Sequence, residues 1–260
     1  EYTLEGGTIT TLGAHVGAGK FNGSNITDVI TSTGTDVDAS RQLKWTLDTP
    51  TLQAYDFAPA TPKLTMGSAV SSIAADDNFT ISAWVYMDAI DERPLFGLNA
   101  ETDDHWIQFT NATVMGFKGT GAAVSLTHGL TISTGSWQHV VITRASSNTV
   151  TVYLNGIAGG TTLEWDEAFA PDAIGTSNNG TRQYFDGRIA QVAIWDDVAL
   201  PEAQVRSIYI QGLSFDIETT ADDALTNLET GLVHYWVLNG GVSDSKGSNH
   251  LTASSDCTAT

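Results

Sequence analysis

The run Phe79-Thr80-Ile81-Ser82-Ala83-Trp84-Val85-Tyr86-Met87 constrains this chain more than any other stretch. It places Phe79, Ile81, Ala83, Val85 and Met87 on one face and Trp84 and Tyr86 on the other. Both faces are then at least partly covered, as an inner strand of a two-sheet sandwich requires. Further strand candidates follow at short intervals: Pro94–Leu98, His105–Phe109, Thr113–Phe117, Ala123–Thr127, Trp137–Arg144 and Thr149–Asn155. The polar separator 145–148 reads as a hairpin loop, and Asn155-Gly156 as a tight turn, because both residues tolerate positive φ. A last strong strand spans Phe185–Trp195. One helix follows over Leu200–Tyr209, with Pro201 in its first turn and Glu202 where the helix dipole favours an acid. Val205, Ile208 and Tyr209 share the face that would pack it down. The expected fold is all-β: an antiparallel two-sheet β-sandwich, or jelly roll, with one short helix near 200–209.

A length of 260 residues suits one large sandwich with a small appendage, and a hydrophobic fraction of 41% supplies its core. Residues 1–230 are expected to form the jelly roll, with an inserted loop region near 31–62 that carries Trp45, Tyr55 and Phe57. Residues 1–30 read as weak strands and 210–230 as an acidic, Thr-rich loop. Residues 231–260 form a terminal strand segment. No window approaches the roughly 18 apolar residues that cross a bilayer, so membrane insertion is not expected. The chain starts at Glu1 without a charged-then-apolar leader, so either a leader has been removed or the chain is part of something longer. The single cysteine, Cys257, cannot make an internal disulfide and reads as an inert tail residue. That absence tilts the origin toward bacteria or viruses. The net charge of −19 excludes nucleic acid as a partner, since phosphate neutralisation needs clustered Lys and Arg.

Four blocks carry a family resemblance: Asp77–Val85, Trp137–Thr143, Val150–Gly156, and Phe185–Ile189 with Val192–Trp195 and the Leu200-Pro201-Glu202 helix start. In this order, over about 130 residues, they resemble the laminin-G-like, concanavalin-A-like jelly-roll superfamily in its bacterial and viral branch. The resemblance is specific for fold and unspecific for function, because such modules bind sugars, bind proteins or coat particles. One departure stands out. The family's Gly-Leu-Val-x-Tyr-Trp strand and Asp-Ser-x-Gly-x-x-Asn loop typically open a module, yet here they sit at Gly231–Asn249. Meanwhile Gly17–Asn25 resembles what normally follows that opening. Either 231–260 begins the next module of a tandem array, or it completes a sandwich, this one or a neighbour's.

Glucanases of the superfamily use a Glu-x-Asp-x-Glu pattern, with carboxylates about 5–5.5 Å apart in retaining enzymes. The nearest match, Glu164-Trp165-Asp166-Glu167, has Ala168 and Phe169 at both possible positions of the second Glu, so no enzyme activity is expected. The six histidines form no zinc pattern, and His139 and His234 read as packed strand residues. For calcium, which takes carboxylate, amide and carbonyl oxygens from loops, the candidate ligands are Asp244, Asn249 and Asp186. Asp103-Asp104 is a further loop pair. For sugar, which needs exposed aromatic faces beside polar acceptors, the candidates are Trp106, Trp165, Tyr184 and Asp166, with Asp103, Asp104 and Asn179 close in sequence.

The function these observations point to is a non-catalytic surface module. It would be a structural or adhesive component of a virion surface or extracellular assembly, in contact with copies of itself, neighbouring structural proteins or surface glycans. The alternative is a carbohydrate-binding, lectin-like module of a larger secreted enzyme.

Overall fold

β-Branched and aromatic residues at alternate positions favour extended chain, where they pack on a pleated surface. The computed structural model describes residues 54–57, 60–70, 73–100, 102–145, 147–178, 182–213, 215–219 and 228–260. All of them belong to one unit, Thr51–Thr260. The readings made on residues 1–53, including Gly17–Asn25 and Trp45, and on Asn179 lie outside the described residues.

In chain order the strands are β1 (Tyr55–Phe57), β2 (Leu64–Met66), β3 (Phe79–Met87), β4 (Arg93–Gly97), β5 (Trp106–Asn111), β6 (Val114–Lys118), β7 (Val124–Thr127), β8 (Trp137–Ala145) and β9 (Thr149–Leu154). Next come β10 (Ile157–Ala158), β11 (Leu163–Glu164), β12 (Ala173–Ile174), β13 (Thr176–Asn178), β14 (Arg182–Tyr184) and β15 (Gly187–Asp196). After the helix α1 (Glu202–Gln211) the chain ends with β16 (Leu232–Trp236), β17 (Leu251–Ala253) and β18 (Cys257–Ala259). A nine-stranded sheet runs β10-β9-β8-β3-β15-β1-β18, with β11 on β9 and β16 on β15. A seven-stranded sheet runs β17-β2-β12-β4-β5-β6-β7 and packs against it, and β13 and β14 form a small hairpin of their own. This is the jelly-roll sandwich with one helix, and every strand pairing is antiparallel.

The main core fills the space between the sheets. Phe79, Ile81, Val85, Phe96, Ile107, Phe117, Ile142 and Ile194 are fully buried there, on the faces their alternation assigns. A second cluster lies on the outer side of the large sheet, where α1 presses Val205 and Ile208 onto Val141, Ala193, Trp195 and Tyr235. Pro201 precedes the helix with φ −67° and ψ 153°. Gly212 closes it in the left-handed region at φ 80°, its N–H reaching the carbonyls of Ile208 and Tyr209.

One expectation about the chain ends needs correcting, and at the other end the segment 231–260 takes one of its expected alternatives by completing this sandwich. Tyr55 and Phe57 belong to β1 and face the core, so they are not part of an inserted loop. The terminal segment pairs within this chain: β16 with β15, β17 with β2 and β18 with β1. Trp236, Leu238, Leu251 and Cys257 thereby enter the main core. The edge that β16 takes begins beside a bulge. Register along β15 shifts between Ala190 and Ala193, with Gln191 at φ 48°. Before the bulge β15 pairs with β1, and after it with β16.

Candidate functional site

The residues expected to form a sugar platform are not brought together. Trp165 is only 2% exposed and packs on Phe79, Phe117 and Phe169 inside the main core. Trp106 is 4% exposed and lies over Gly116, where a Cβ would stand 2.9 Å from its ring. Its Nε1 donates to Asp103 Oδ1 at 2.8 Å, and Lys118 Nζ holds the other oxygen of that carboxylate at 2.8 Å. Phe117 touches Trp165 while Lys118, its neighbour on β6, pairs across from Trp106. Adjacent strand residues point to opposite faces, so the seven-stranded sheet stands between the two tryptophans. Tyr184 is half-buried at the end of β14, and Asp166 is exposed in the loop after β11. Neither tryptophan offers a free face, and the expected platform is corrected on that ground.

The carboxylates of the glucanase-like stretch are separated in role. Glu167 turns its Oε2 to the backbone N–H groups of Gly119 and Gly121, at 2.9 and 2.8 Å, and so fixes a loop. Arg144 is fully buried alongside. It donates to the carbonyls of Asp77, Trp165, Glu167 and Ala74, with its guanidinium over the rings of Phe79 and Trp165.

Of the calcium candidates, Asp244 and Asn249 are brought together but are spent on other contacts, and Asp186 is paired elsewhere. Asp244 is buried beneath its own loop and accepts from His234 Nδ1 at 2.6 Å and from the N–H groups of Tyr235, Lys246, Gly247 and Asn249. Burial alone would raise its pKa. The hydrogen bond from His234 and those from Gly247, Tyr235 and Asn249 outweigh it and hold the carboxyl at about 2. N–H donors occupy both oxygens, an arrangement suited to stapling a loop and not to coordinating a cation. The Asn249 side chain is spent on the backbone of Ser68, accepting from its N–H and donating to its carbonyl. Asp186 pairs with Arg93 at 3.6 Å. Among the described residues no three His, Cys, Asp or Glu side chains gather where a metal ion could be held.

Among the described residues, a half-open row that combines aromatic rings with charged groups lies on the outer face of the nine-stranded sheet. Antiparallel register aligns one row across five strands: Thr258 opposite Asp56, Asp56 opposite Arg188, Arg188 opposite Tyr86, and Tyr86 opposite Trp137. Directly opposed residues share a face and touch. The Tyr86 and Trp137 rings meet at 5.9 Å and 66°. The Arg188 guanidinium stands 4.8 Å over the Tyr86 ring. Its Nε lies 3.9 Å from Asp56, and with side chains 38% and 32% exposed both charges face water. The next row, Ala54, Ala190, Trp84 and His139, is sealed instead, because Tyr209 of α1 stacks on Trp84 at 6.0 Å and Leu213 packs beside it. His139 there is fully buried, bonded to Ser82 Oγ at 2.8 Å, and burial pushes its pKa down to about 3.

The helix thus covers one aromatic row and leaves the neighbouring one half open. The signal for the open row was present in the alternation of β3, which sets Trp84 and Tyr86 on the face opposite the apolar residues. What the sequence lacked was the register bringing Trp137, Arg188 and Asp56 alongside Tyr86.

Comparison with known proteins places the fold. A family model, Laminin_G_3 of the concanavalin A-like lectin/glucanases superfamily, matches residues 59–206. No curated protein matches the chain in sequence. Among solved structures, a Bacteroides ovatus protein provisionally described as carbohydrate-binding is similar at 20% identity and a TM-score of 0.58, covering 80% of this chain and 59% of its own. The heptameric SAP-like pentraxin of Limulus polyphemus is similar at 14% identity and a TM-score of 0.52, covering 80% of this chain and 94% of its own. The chain therefore spans somewhat over half of the first of these proteins, and both likenesses are of fold.

Proposed function

The chain belongs to the Laminin_G_3 family of the concanavalin A-like lectin/glucanases superfamily, and from that premise we propose that it is a non-catalytic, extracellular glycan-binding module. The observation that carries this reading is the half-open row Thr258–Asp56–Arg188–Tyr86–Trp137. Sugar rings present an apolar C–H face and a rim of hydroxyls. Such a ligand calls for an aromatic surface with donors and acceptors beside it, and the row supplies rings, a guanidinium, a carboxylate and a hydroxyl in one line. The carbohydrate-binding description of the Bacteroides ovatus protein agrees with this reading. No helix among the described residues is long and apolar enough to cross a membrane.

A non-catalytic role is supported by the sequence around Glu164–Phe169, where no second carboxylate follows at catalytic spacing, and by the use of Glu167 as a loop staple. A structural role on a virion or in an extracellular assembly drew on the terminal strand, the acidic surface and the missing catalytic pair. With β16–β18 paired in this chain the strand no longer favours it, and the other two features fit a glycan-binding module equally. The test is a glycan array followed by product analysis of every hit. The expected result is retention of a defined set of glycans without cleavage. Cleavage of any bound glycan, or no retention on the array, would refute the proposal.

A further inference from the structure

We infer that the open row takes an uncharged glycan chain laid lengthwise across the strands, an inference that rests on the glycan-binding reading above. Two observations carry it, one of charge and one of shape.

Arg188 is the one cation of the row, and it is already engaged on both sides, over the Tyr86 ring at 4.8 Å and toward Asp56 at 3.9 Å. The neighbouring charges are mostly acids. Asp88 is exposed at the end of β3, where its N–H bonds the Asp186 carbonyl, and the Asp186 side chain pairs with Arg93 at 3.6 Å. The whole chain carries −19. A glycan bearing carboxylate or sulfate would have to displace Asp56 from Arg188 and approach Asp88 against like charge, with only solvent screening to help. Uncharged hydroxyls face no such barrier. They can accept from the outer N–H groups of Arg188 and donate to Asp56, while a ring face lies on Trp137.

Shape sets the length of the ligand. Four inter-strand steps of about 4.8 Å give the row a span of about 19 Å, enough for several sugar rings end to end. One long side is bordered by the sealed row under α1, where Tyr209 and Trp84 stack. Among the described residues the two ends of the row are open: β18 is the edge of the sheet, and at Trp137 the adjoining β9 has already turned away at Asn155-Gly156. A surface of this form suits the interior of a chain and not its terminus.

The experiment is calorimetric titration of the full chain with gluco- and xylo-oligosaccharides from monosaccharide to hexasaccharide, each beside glucuronate-bearing and sulfated counterparts, at low and high salt. In the responding neutral series, affinity should rise about tenfold or more from monosaccharide to tetrasaccharide and hold steady in salt. Acidic counterparts should bind at least about tenfold more weakly at low salt. Tighter binding of the acidic forms that fades with salt would overturn the uncharged assignment and leave glycan binding intact. Affinity independent of length would overturn the lengthwise placement. No binding by either set would overturn this inference, and the glycan-binding reading falls with it where the array also retains nothing.

Discussion

Asp244 and Trp165 show how far the role of a residue depends on what its surroundings point at it. An Asp and an Asn around a Gly turn can equally coordinate calcium or staple a loop, and sequence alone does not separate the two. At Asp244 the difference is made by His234 Nδ1 and four backbone N–H groups converging on the carboxylate. Trp165 sits among Glu164, Asp166 and Glu167, which read as surface, yet its ring enters the core between Phe79 and Phe117. The polar context was legible and the direction of the side chain was not. Asp244 carries a pH prediction. Its pKa falls from 3.8 to about 2 on folding. The charge therefore contributes stability that is fully present above about pH 4 and lost as pH falls toward 2. Asp244→Asn should cost about 2 kcal/mol at neutral pH and flatten the decline in melting temperature between those pH values. The parent protein should melt at the same temperature in calcium and in chelator. A calcium-dependent rise in melting temperature, lost in Asp244→Asn, would restore the metal reading.

At the level of elements, the long strands were readable and the short ones were not. β3, β8, β9 and β15 have enough residues for alternation to declare itself, and the helix expected near 200–209 forms at Glu202–Gln211. β1, β2, β17 and β18 have three residues each, too few to show a period, and their strand character comes from the partners they meet. The bulge at Gln191 could not be foreseen either. It lies where β15 changes partner, from β1 before it to β16 after it. A chain ending at Thr230 should therefore lose its cooperative thermal transition and aggregate. It would expose half of one β15 edge and remove the fully buried Trp236 from the core, a loss of about 3–5 kcal/mol for that side chain alone. A sharp melting transition in the truncated chain would show that 231–260 is dispensable to this sandwich.

For the molecule as a whole, the large sheet has two outer rows with different fates. Under α1, Trp84 and His139 are sealed by Tyr209; one row further along, Tyr86 and Trp137 remain half open beside Arg188 and Asp56. The fold was legible in four blocks in family order, and the outer-face aromatic side chains in the alternation of β3. The site itself spans five strands drawn from distant parts of the chain, and its assembly depends on register that no local pattern encodes. The central claim is that this row, and not the buried tryptophans, meets the ligand. The most direct test is calorimetric titration of the best-retained glycan into the parent protein and into the Tyr86→Ala/Trp137→Ala variant, with thermal melts of both. Two aromatic contacts together are worth about 2 kcal/mol, so binding should weaken at least about tenfold while the melting transition stays cooperative. Undiminished affinity in a variant that melts cooperatively would contradict the account and place the ligand elsewhere on the sandwich.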